Sequence, residues 1–113
     1  MRLATWNVNS IRARVVRTVD WMVRNDVDVL AMQEIKCKPE QFPIAAFEEA
    51  GYEVAVHGLN QWNGVAIASR LPMSDVQTSF SGMPGFQKGM EGPDQPLEAR
   101  AISALIDDVR VWS

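Results

Sequence analysis

Two short apolar segments with a helical segment between them constrain the fold most. Residues 3–8 and 27–32 are shorter than an average helix and rich in apolar and branched side chains, which predicts two buried strands. An amphipathic helix is predicted from Ile11 to about Asn25, capped by Ser10. Its apolar residues recur at helical spacing: Val15, Val19, Met22 and Val23. If the two strands are neighbours in one sheet, their carboxyl ends meet at the same edge.

The rest of the chain alternates between strand and turn signals. A second helix is predicted over residues 43–50, with Gly51 closing it in a left-handed conformation. Gly and Pro residues mark 81–96 as a long loop. Further strands are predicted at 52–57, 64–69 and 76–80, around Ala99, Ile102, Ala104 and Ile106, and at 109–112 after a turn at Asp107-Asp108. This order predicts an α/β (α+β) fold, a mixed layered sheet with helices on one outer face.

The length of the chain allows one domain or part of one. It has 113 residues, of which 47% are hydrophobic. The last residues form an apolar strand directly after a turn, whereas natural termini tend to lie in frayed surface segments. We therefore expect residues 1–113 to be the amino-terminal part of a single, longer domain.

Charge is unevenly distributed. Residues 1–38 contain seven Lys and Arg against four Asp and Glu, a net charge of +3, so that the remainder carries −6 of the total of −3. A basic region on an acidic protein fits an anionic ligand bound at one site, and a solvated helix face explains it equally well.

The cysteine content and the apolar runs bear on the compartment. Cys37 is the only cysteine, so no intrachain disulfide can form, which favours a reducing, cytoplasmic setting. The first residues become polar too early for a signal peptide, and no apolar run approaches the ~18 residues of a membrane helix. A cytoplasmic protein without a membrane partner is expected.

Polar side chains follow both of the first two predicted strands. Asn7 and Asn9 lie at the end of the first strand, and Glu34 follows the second. Ligands of open α/β sheets gather at the carboxyl ends of strands, and carboxylate and amide oxygens suit Mg²⁺ or Mn²⁺. An Asn at a strand end can equally be a turn former, and an isolated Glu can simply be solvated.

Three segments in order carry a family resemblance: Thr5-Trp6-Asn7-Val8-Asn9-Ser10-Ile11-Arg12-Ala13, Leu30-Ala31-Met32-Gln33-Glu34-Ile35-Lys36-Cys37 and Trp62-Asn63-Gly64-Val65-Ala66-Ile67-Ala68-Ser69-Arg70. This set resembles the exonuclease III family of apurinic/apyrimidinic (AP) endonucleases, within the endonuclease/exonuclease/phosphatase superfamily. The likeness extends to Glu98-Ala99-Arg100. Superfamily phosphatases share the Asn and the Gln-Glu, whereas Ile11-Arg12-Ala13 and Lys36 are typical of the DNA-repair branch.

The resemblance implies a fold and a set of roles. The fold would be the amino-terminal part of a four-layered α/β sandwich with mixed, mostly antiparallel sheets. Asn7 and Glu34 would be catalytic, Glu34 as the main ligand of Mg²⁺ (or Mn²⁺), with Asn7 beside it and Asn9 as a weaker metal contact. The DNA-binding residues would be Arg12, Lys36, Trp62 and Asn63. For Arg12 an exposed helix charge is the alternative, and for Trp62 partial core packing.

The resemblance also implies a reaction, the metal-dependent hydrolysis of phosphodiesters at abasic sites and 3′ ends of double-stranded DNA. Family members complete the site with a later Tyr, an Asp-x-Asn segment and an Asp paired with a His, none of which lies within residues 1–113. We therefore expect this piece to be inactive alone. His57 and Cys37 are interpreted as structural.

Two other functions stay open. The same fold could act on phosphoinositides or other small phosphate esters. Alternatively, the piece could be a non-catalytic fragment or interaction module, because an unfinished sheet edge recruits partners and favours self-association.

Overall fold

The computed structural model describes residues 1–92 and 94–113. The elements in chain order are β1 (Leu3–Asn7), α1 (Ile11–Arg24), β2 (Val29–Gln33), a short 3-10 turn (Pro39–Gln41), α2 (Ile44–Glu49), β3 (Glu53–His57), β4 (Val65–Ser69), β5 (Met73–Gln77), β6 (Ser103–Ile106) and β7 (Val109–Trp112). The strand, helix and strand expected at the start of the chain are confirmed. Their ends differ from the predicted ones by one or two residues, as is usual for helix and strand boundaries.

Two sheets are formed. In the first sheet the order is β1-β2-β4-β3, with β1 parallel to β2 and the other pairs antiparallel. In the second sheet β5, β6 and β7 are antiparallel neighbours. The expected α/β class with mixed, mostly antiparallel sheets is confirmed. Because β1 and β2 pair in parallel, with Asn7 opposite Gln33, their carboxyl ends lie at the same edge.

The central strands β2 and β4 of the first sheet are buried on both faces, whereas β1 exposes alternate residues. One face packs on the helices through Leu30, Met32, Ala66 and Ala68, which join Ile11 and Met22 of α1 and Phe47 of α2. The other face packs on the second sheet through Val29, Val65 and Ile67, which join Ile102, Ala104 and Ile106. The layers are therefore helices, first sheet and second sheet, with both helices on one outer face as predicted. Each fully buried aliphatic or aromatic side chain stabilises this arrangement by about 1.5–3 kcal/mol.

The strand predicted at 76–80 lies three residues earlier, at Met73–Gln77. Its pairing with β6 places Met73 opposite Ile106, and Met73 packs against the second core. Phe80 lies outside the strand and stacks edge-on against Trp112, with ring centroids 5.8 Å apart. Tertiary pairing therefore decided the position of β5, because the local pattern of apolar residues fits either placement.

The first helix differs from the prediction at two positions. Val23 was expected on the packed face and is exposed, whereas Thr18 is buried. Ser10 occupies the cap position, but its side chain makes no capping hydrogen bond and its φ is 80°. Its backbone N–H donates instead to the carbonyl oxygen of Glu34 at 2.8 Å. α1 has 14 residues, and within the described part of the chain no helix is long and apolar enough to cross a membrane.

The predicted long loop at 81–96 contains neither helix nor strand among its described residues. Pro93, which belongs to that prediction, lies outside the described residues. Gly51 was predicted to close the second helix in a left-handed conformation. This prediction is confirmed, since Gly51 follows α2 with a φ of 91°.

Candidate metal and nucleic-acid site

Asn7 and Glu34 meet at the carboxyl edge of the first sheet. Asn7 is the last residue of β1, and Glu34 is the first residue after β2. The pairing continues past Asn7, because Val8 N–H donates to the Gln33 carbonyl oxygen at 3.0 Å. The Asn7 side-chain Nδ2 donates a hydrogen bond to Oε2 of Glu34. The two residues to which the family resemblance assigns catalysis are therefore in direct contact.

Asn9 and Lys36 extend this contact into a small polar network. The Asn9 backbone N–H donates to Oδ1 of Asn7 at 3.1 Å, and Lys36 Nζ donates to Oδ1 of Asn9 at 2.6 Å. Lys36 Nζ also lies 3.8 Å from Oε1 of Glu34. Four of the predicted site residues thus form one hydrogen-bonded group, in which the ammonium of Lys36 offsets the charge of Glu34.

The backbone of this group is held in an uncommon conformation. Asn9, Glu34, Lys36 and Asn63 have φ values of 44°, 52°, 55° and 55°. Residues other than glycine adopt this left-handed backbone region at a cost of about 1–3 kcal/mol each, and such residues cluster at functional sites. The surrounding contacts must therefore compensate for that cost here.

The segment Asn63-Gly64 forms the second wall of the site, the first being the group that contains Asn7 and Glu34. Lys36 N–H donates to the Asn63 carbonyl oxygen at 2.9 Å, and Ile35 N–H donates to that of Gly64 at 3.2 Å. Gly64 has a φ of 88°, and a Cβ on it would lie 2.6 Å from Cγ1 of Ile35. Only glycine fits this approach without displacing Ile35.

Glu98 and Arg100 are the third wall. Asn63 Nδ2 donates to Oε2 of Glu98 at 2.6 Å, and Arg100 Nε lies 3.3 Å from Oε1 of Glu98. Gly64 N–H donates to the Ala99 carbonyl oxygen at 2.9 Å. Before the structure, Glu98-Ala99-Arg100 was noted only as part of the family resemblance, and no role was assigned to these residues. Their contact with Asn63 depends on how the long loop returns, which local patterns do not encode.

These walls enclose a cleft of about 450 Å³, lined by Asn7, Gln33, Glu34, Asn63, Gly64, Val65, Ala99 and Arg100. The lining residues therefore include one carboxylate, three amides and one guanidinium around a common space. A cation beside Glu34 and an anion beside Arg100 could occupy this space together, which is the arrangement that a metal-bound phosphate group requires.

The donor set fits a magnesium ion that keeps most of its water. Within the described residues no cluster of three or more His, Cys, Asp or Glu side chains could enclose a metal. Mg²⁺ in phosphate-handling sites is typically held by one or two carboxylates together with substrate phosphates and waters. Glu34 can supply that carboxylate, since its side chain is 45% exposed. The oxygen of Asn9 already accepts a hydrogen bond from Lys36, and a metal contact by Asn9 stays a prediction.

The predicted DNA-binding residues lie around the same edge. Arg12 is exposed in the first turn of α1, and its Nη2 donates to the Lys36 carbonyl oxygen at 3.2 Å. Trp62 is 63% exposed, so it is not a core residue. The side-chain amide of Asn63 donates a hydrogen bond to Glu98. Their roles in binding DNA stay predictions.

Cys37 and His57 do not line the cleft. Cys37 is fully buried, and this burial raises the pKa of its thiol. His57 is half-buried at the end of β3, and burial lowers its pKa. Both placements agree with the structural interpretation of these residues.

The chain is similar to known proteins in both sequence and structure. The model of the Endonuclease/Exonuclease/phosphatase family matches residues 4–100. Exodeoxyribonuclease III of Haemophilus influenzae is 31% identical over 80 residues, which cover 71% of this chain and 30% of that protein.

Two solved structures are similar over 99% of this chain and 40% of their own chains. One is a 3′ phosphatase from Neisseria bound to a product DNA hairpin, with 34% identity and a TM-score of 0.84. The other is an AP endonuclease from Archaeoglobus fulgidus, with 39% identity and a TM-score of 0.78. The chain therefore spans well under half the length of these relatives. Because the family match covers most of its residues, the chain belongs to the Endonuclease/Exonuclease/phosphatase family, and its homologues include exodeoxyribonuclease III and AP endonucleases.

Proposed function

We propose that this chain contributes the Glu34 portion of the active site of a DNA-repair nuclease, which hydrolyses phosphodiesters at abasic sites and 3′ ends of double-stranded DNA. The observation that carries the proposal is the contact between Asn7 and Glu34 at the edge of a cleft that also holds Arg100. The names of the relatives support DNA as the substrate, since they include an exodeoxyribonuclease, an AP endonuclease and a phosphatase bound to a DNA hairpin.

Each side chain has a part in this chemistry. A bound Mg²⁺ (or Mn²⁺) would supply positive charge at the phosphate oxygens and at the departing 3′ oxygen. Glu34 would hold that ion, and Asn7 would fix the orientation of the Glu34 carboxylate through its hydrogen bond. Arg100 would bind a non-bridging oxygen of the phosphate from the facing wall. Lys36 would add positive charge beside the carboxylate and limit the net negative charge that the phosphate meets.

The described part of the cleft holds a single carboxylate and no histidine. A group that deprotonates the attacking water is therefore lacking among these lining residues, since Glu34 is assigned to the metal. We propose that the 113-residue piece is inactive by itself, that residues 1–113 form part of one domain, and that the intact protein works in the cytoplasm. The piece is also proposed to self-associate through β7, which lies at an edge of the second sheet.

A substrate panel tests the proposed activity of the intact protein. The panel contains an abasic duplex, a duplex with a 3′ phosphate and a soluble inositol phosphate, each assayed with Mg²⁺ and with EDTA. We expect Mg²⁺-dependent turnover of the two DNA substrates and none of the inositol phosphate. Turnover of the inositol phosphate alone would overturn the proposal in favour of a small-molecule phosphatase.

The isolated piece is tested separately. We expect a purified 113-residue sample to leave abasic DNA intact and to sediment with a mass that rises with concentration. Cleavage by this sample, or a monodisperse monomer, contradicts the corresponding half of the expectation.

A further inference from the structure

A second cleft lies beside Trp62. It has a volume of about 450 Å³ and is lined by Arg12, Lys38, Gln41, Asn60, Gln61 and Trp62, none of which lines the cleft at Glu34. We propose that this Trp62 cleft binds an unpaired nucleotide of the DNA strand, with the base stacked on Trp62 and the phosphate held by Arg12 and Lys38. This inference rests on the proposed function, because it assumes that the ligand is DNA.

Trp62 presents an exposed aromatic side chain on an anchored backbone. The residue is 63% exposed, and its backbone N–H donates to Oδ1 of Asn60 at 2.7 Å. The next residue, Asn63, is anchored by Glu98 and by the backbone of Lys36. The backbone that carries the indole is therefore anchored on both sides, and stacking on the exposed ring is favourable for every base because each base has a π face.

The cations of the cleft are available to an anion. In the part of the chain that the structure describes, neither Arg12 nor Lys38 has a carboxylate within 4.0 Å. Arg12 directs one N–H to the Lys36 carbonyl oxygen, which fixes the guanidinium at the rim and leaves its other donors for a ligand.

Gln41 adds a neutral donor. Its Oε1 accepts from the backbone N–H of Lys38 at 3.0 Å, so its Nε2 is the group left to bind a ligand. The six lining residues are two cations, three amides and one aromatic ring, with no acidic side chain. This composition matches a phosphate next to a base with polar edges, and the volume falls within the range of about 300–1,000 Å³ typical of small-ligand sites.

A smaller cleft shares lining residues with both the Trp62 cleft and the cleft at Glu34. It measures about 170 Å³, shares Asn60 and Trp62 with the former, and shares Asn63 and Ala99 with the latter. One strand could therefore place a phosphodiester at Glu34 and a neighbouring nucleotide on Trp62. That nucleotide must be unpaired, because a base inside a duplex offers no free face to an indole.

Binding of the intact protein to labelled DNA in EDTA, measured by fluorescence anisotropy, tests the inference without cleavage. The probes are a blunt duplex and the same duplex with a short unpaired 3′ or 5′ extension. Trp62→Ala should weaken binding to at least one extended duplex by about tenfold and leave binding to the blunt duplex within about twofold. Trp62→Tyr should restore most of the loss. The matched control is Phe86→Ala, which removes another exposed aromatic ring that lines none of the three clefts.

The phosphate contact has its own readout. Lys38→Gln should lower the slope of log K against log salt by about one unit on the extended duplex, whereas Lys88→Gln, outside all three clefts, should leave it unchanged. An equal loss on blunt and extended DNA, or no loss with Trp62→Ala, overturns the inference. In either case a wild-type protein that still cleaves abasic DNA retains the proposed function, whereas wild-type protein that neither cleaves nor binds DNA overturns both.

Discussion

The side-chain amide of Asn7 donates a hydrogen bond to the carboxylate of Glu34, although 27 residues separate them in sequence. The parallel pairing of β1 with β2 produces this contact, because it aligns the carboxyl ends of the two strands. A carboxylate oriented by an amide is suited to holding a hard cation, and the lysine ammonium 3.8 Å away adds positive charge that favours a phosphate.

Replacing Glu34 with Gln removes the negative charge and keeps the shape. We expect Mg²⁺-dependent cleavage of abasic DNA by the intact protein to fall by at least about a hundredfold, since charge stabilisation by single groups in active sites is worth about 10²–10³ in rate. Glu34 is half-exposed, so the free energy of unfolding should change little. The measurement is turnover against Mg²⁺ concentration, with circular dichroism as the control for folding. Cleavage at the wild-type rate and at low Mg²⁺ would show that Glu34 does not hold the ion.

Asn7 is expected to act through Glu34, as a positioning residue. Asn7→Ala removes the hydrogen bond to the carboxylate, and the loss of such a supporting contact typically costs about 10–100-fold in metal affinity or activity. The affected quantity should be the Mg²⁺ concentration at half-maximal activity, which should rise. The control is Gln87→Ala, which removes an exposed amide that lines none of the three clefts. An unchanged Mg²⁺ requirement with a lower maximal rate would assign Asn7 to the substrate instead.

Gly64 should be intolerant of a side chain. In Gly64→Ala the new Cβ would meet Cγ1 of the buried Ile35 at 2.6 Å, in a backbone conformation that alanine also disfavours. We expect the free energy of unfolding in urea to drop by about 2–4 kcal/mol, the sum of overpacking and left-handed strain. Gly51→Ala is the matched control, since Gly51 has a similar φ of 91° and nothing within 4 Å of the new Cβ. Equal destabilisation by both variants would mean that Ile35 yields without cost.

Asp28, at the opposite end of the first sheet from Glu34, should make the stability of the fold depend on pH. A backbone hydrogen bond from Arg2 and a side-chain hydrogen bond from Arg70 hold the pKa of Asp28 below its ordinary value of 3.8. A carboxyl whose pKa is lower in the folded state stabilises the protein fully above its unfolded pKa, and this contribution disappears as the pH falls through the folded pKa. Asp28→Asn should therefore be less stable than wild type at pH 7, with the difference shrinking below pH 3.8.

The measurement is urea unfolding at several pH values. Asp20→Asn removes the same charge from the exposed face of α1 and is the control. A stability difference between wild type and Asp28→Asn that persists unchanged at low pH would contradict the assigned cause.

The central contact of the site could be predicted from the sequence, because both of its residues follow apolar segments whose character is local. Predicting that Asn7 and Glu34 meet required only that two strands be recognised and be assumed to be neighbours in one sheet. The bond from Lys36 to Asn9 could not be predicted, because it depends on left-handed turns at Asn9, Glu34 and Lys36 that no glycine announces.

The contacts of Glu98 and Arg100 could not be predicted from the sequence, for a different reason. Glu98 and Arg100 follow a long loop, and their contact with Asn63 depends on where that loop returns to the sheets. The position of β5 was missed for a similar reason, since its register is set by pairing with β6. Trp62 was placed near DNA by resemblance alone, and its exposure became known only from the fold. Long-range pairing and side-chain exposure are properties of the folded chain, which local patterns of residues do not determine.

The most direct test is to locate the metal. Crystals of the intact protein soaked in Mn²⁺ should show an anomalous difference peak at about 2.1 Å from a carboxylate oxygen of Glu34, within the cleft that Asn7 and Arg100 line. The peak should be absent in Glu34→Gln. A Mn²⁺ peak at another position, together with a Glu34 carboxylate that points away from Asn7, would contradict the assignment of this sheet edge as the metal site.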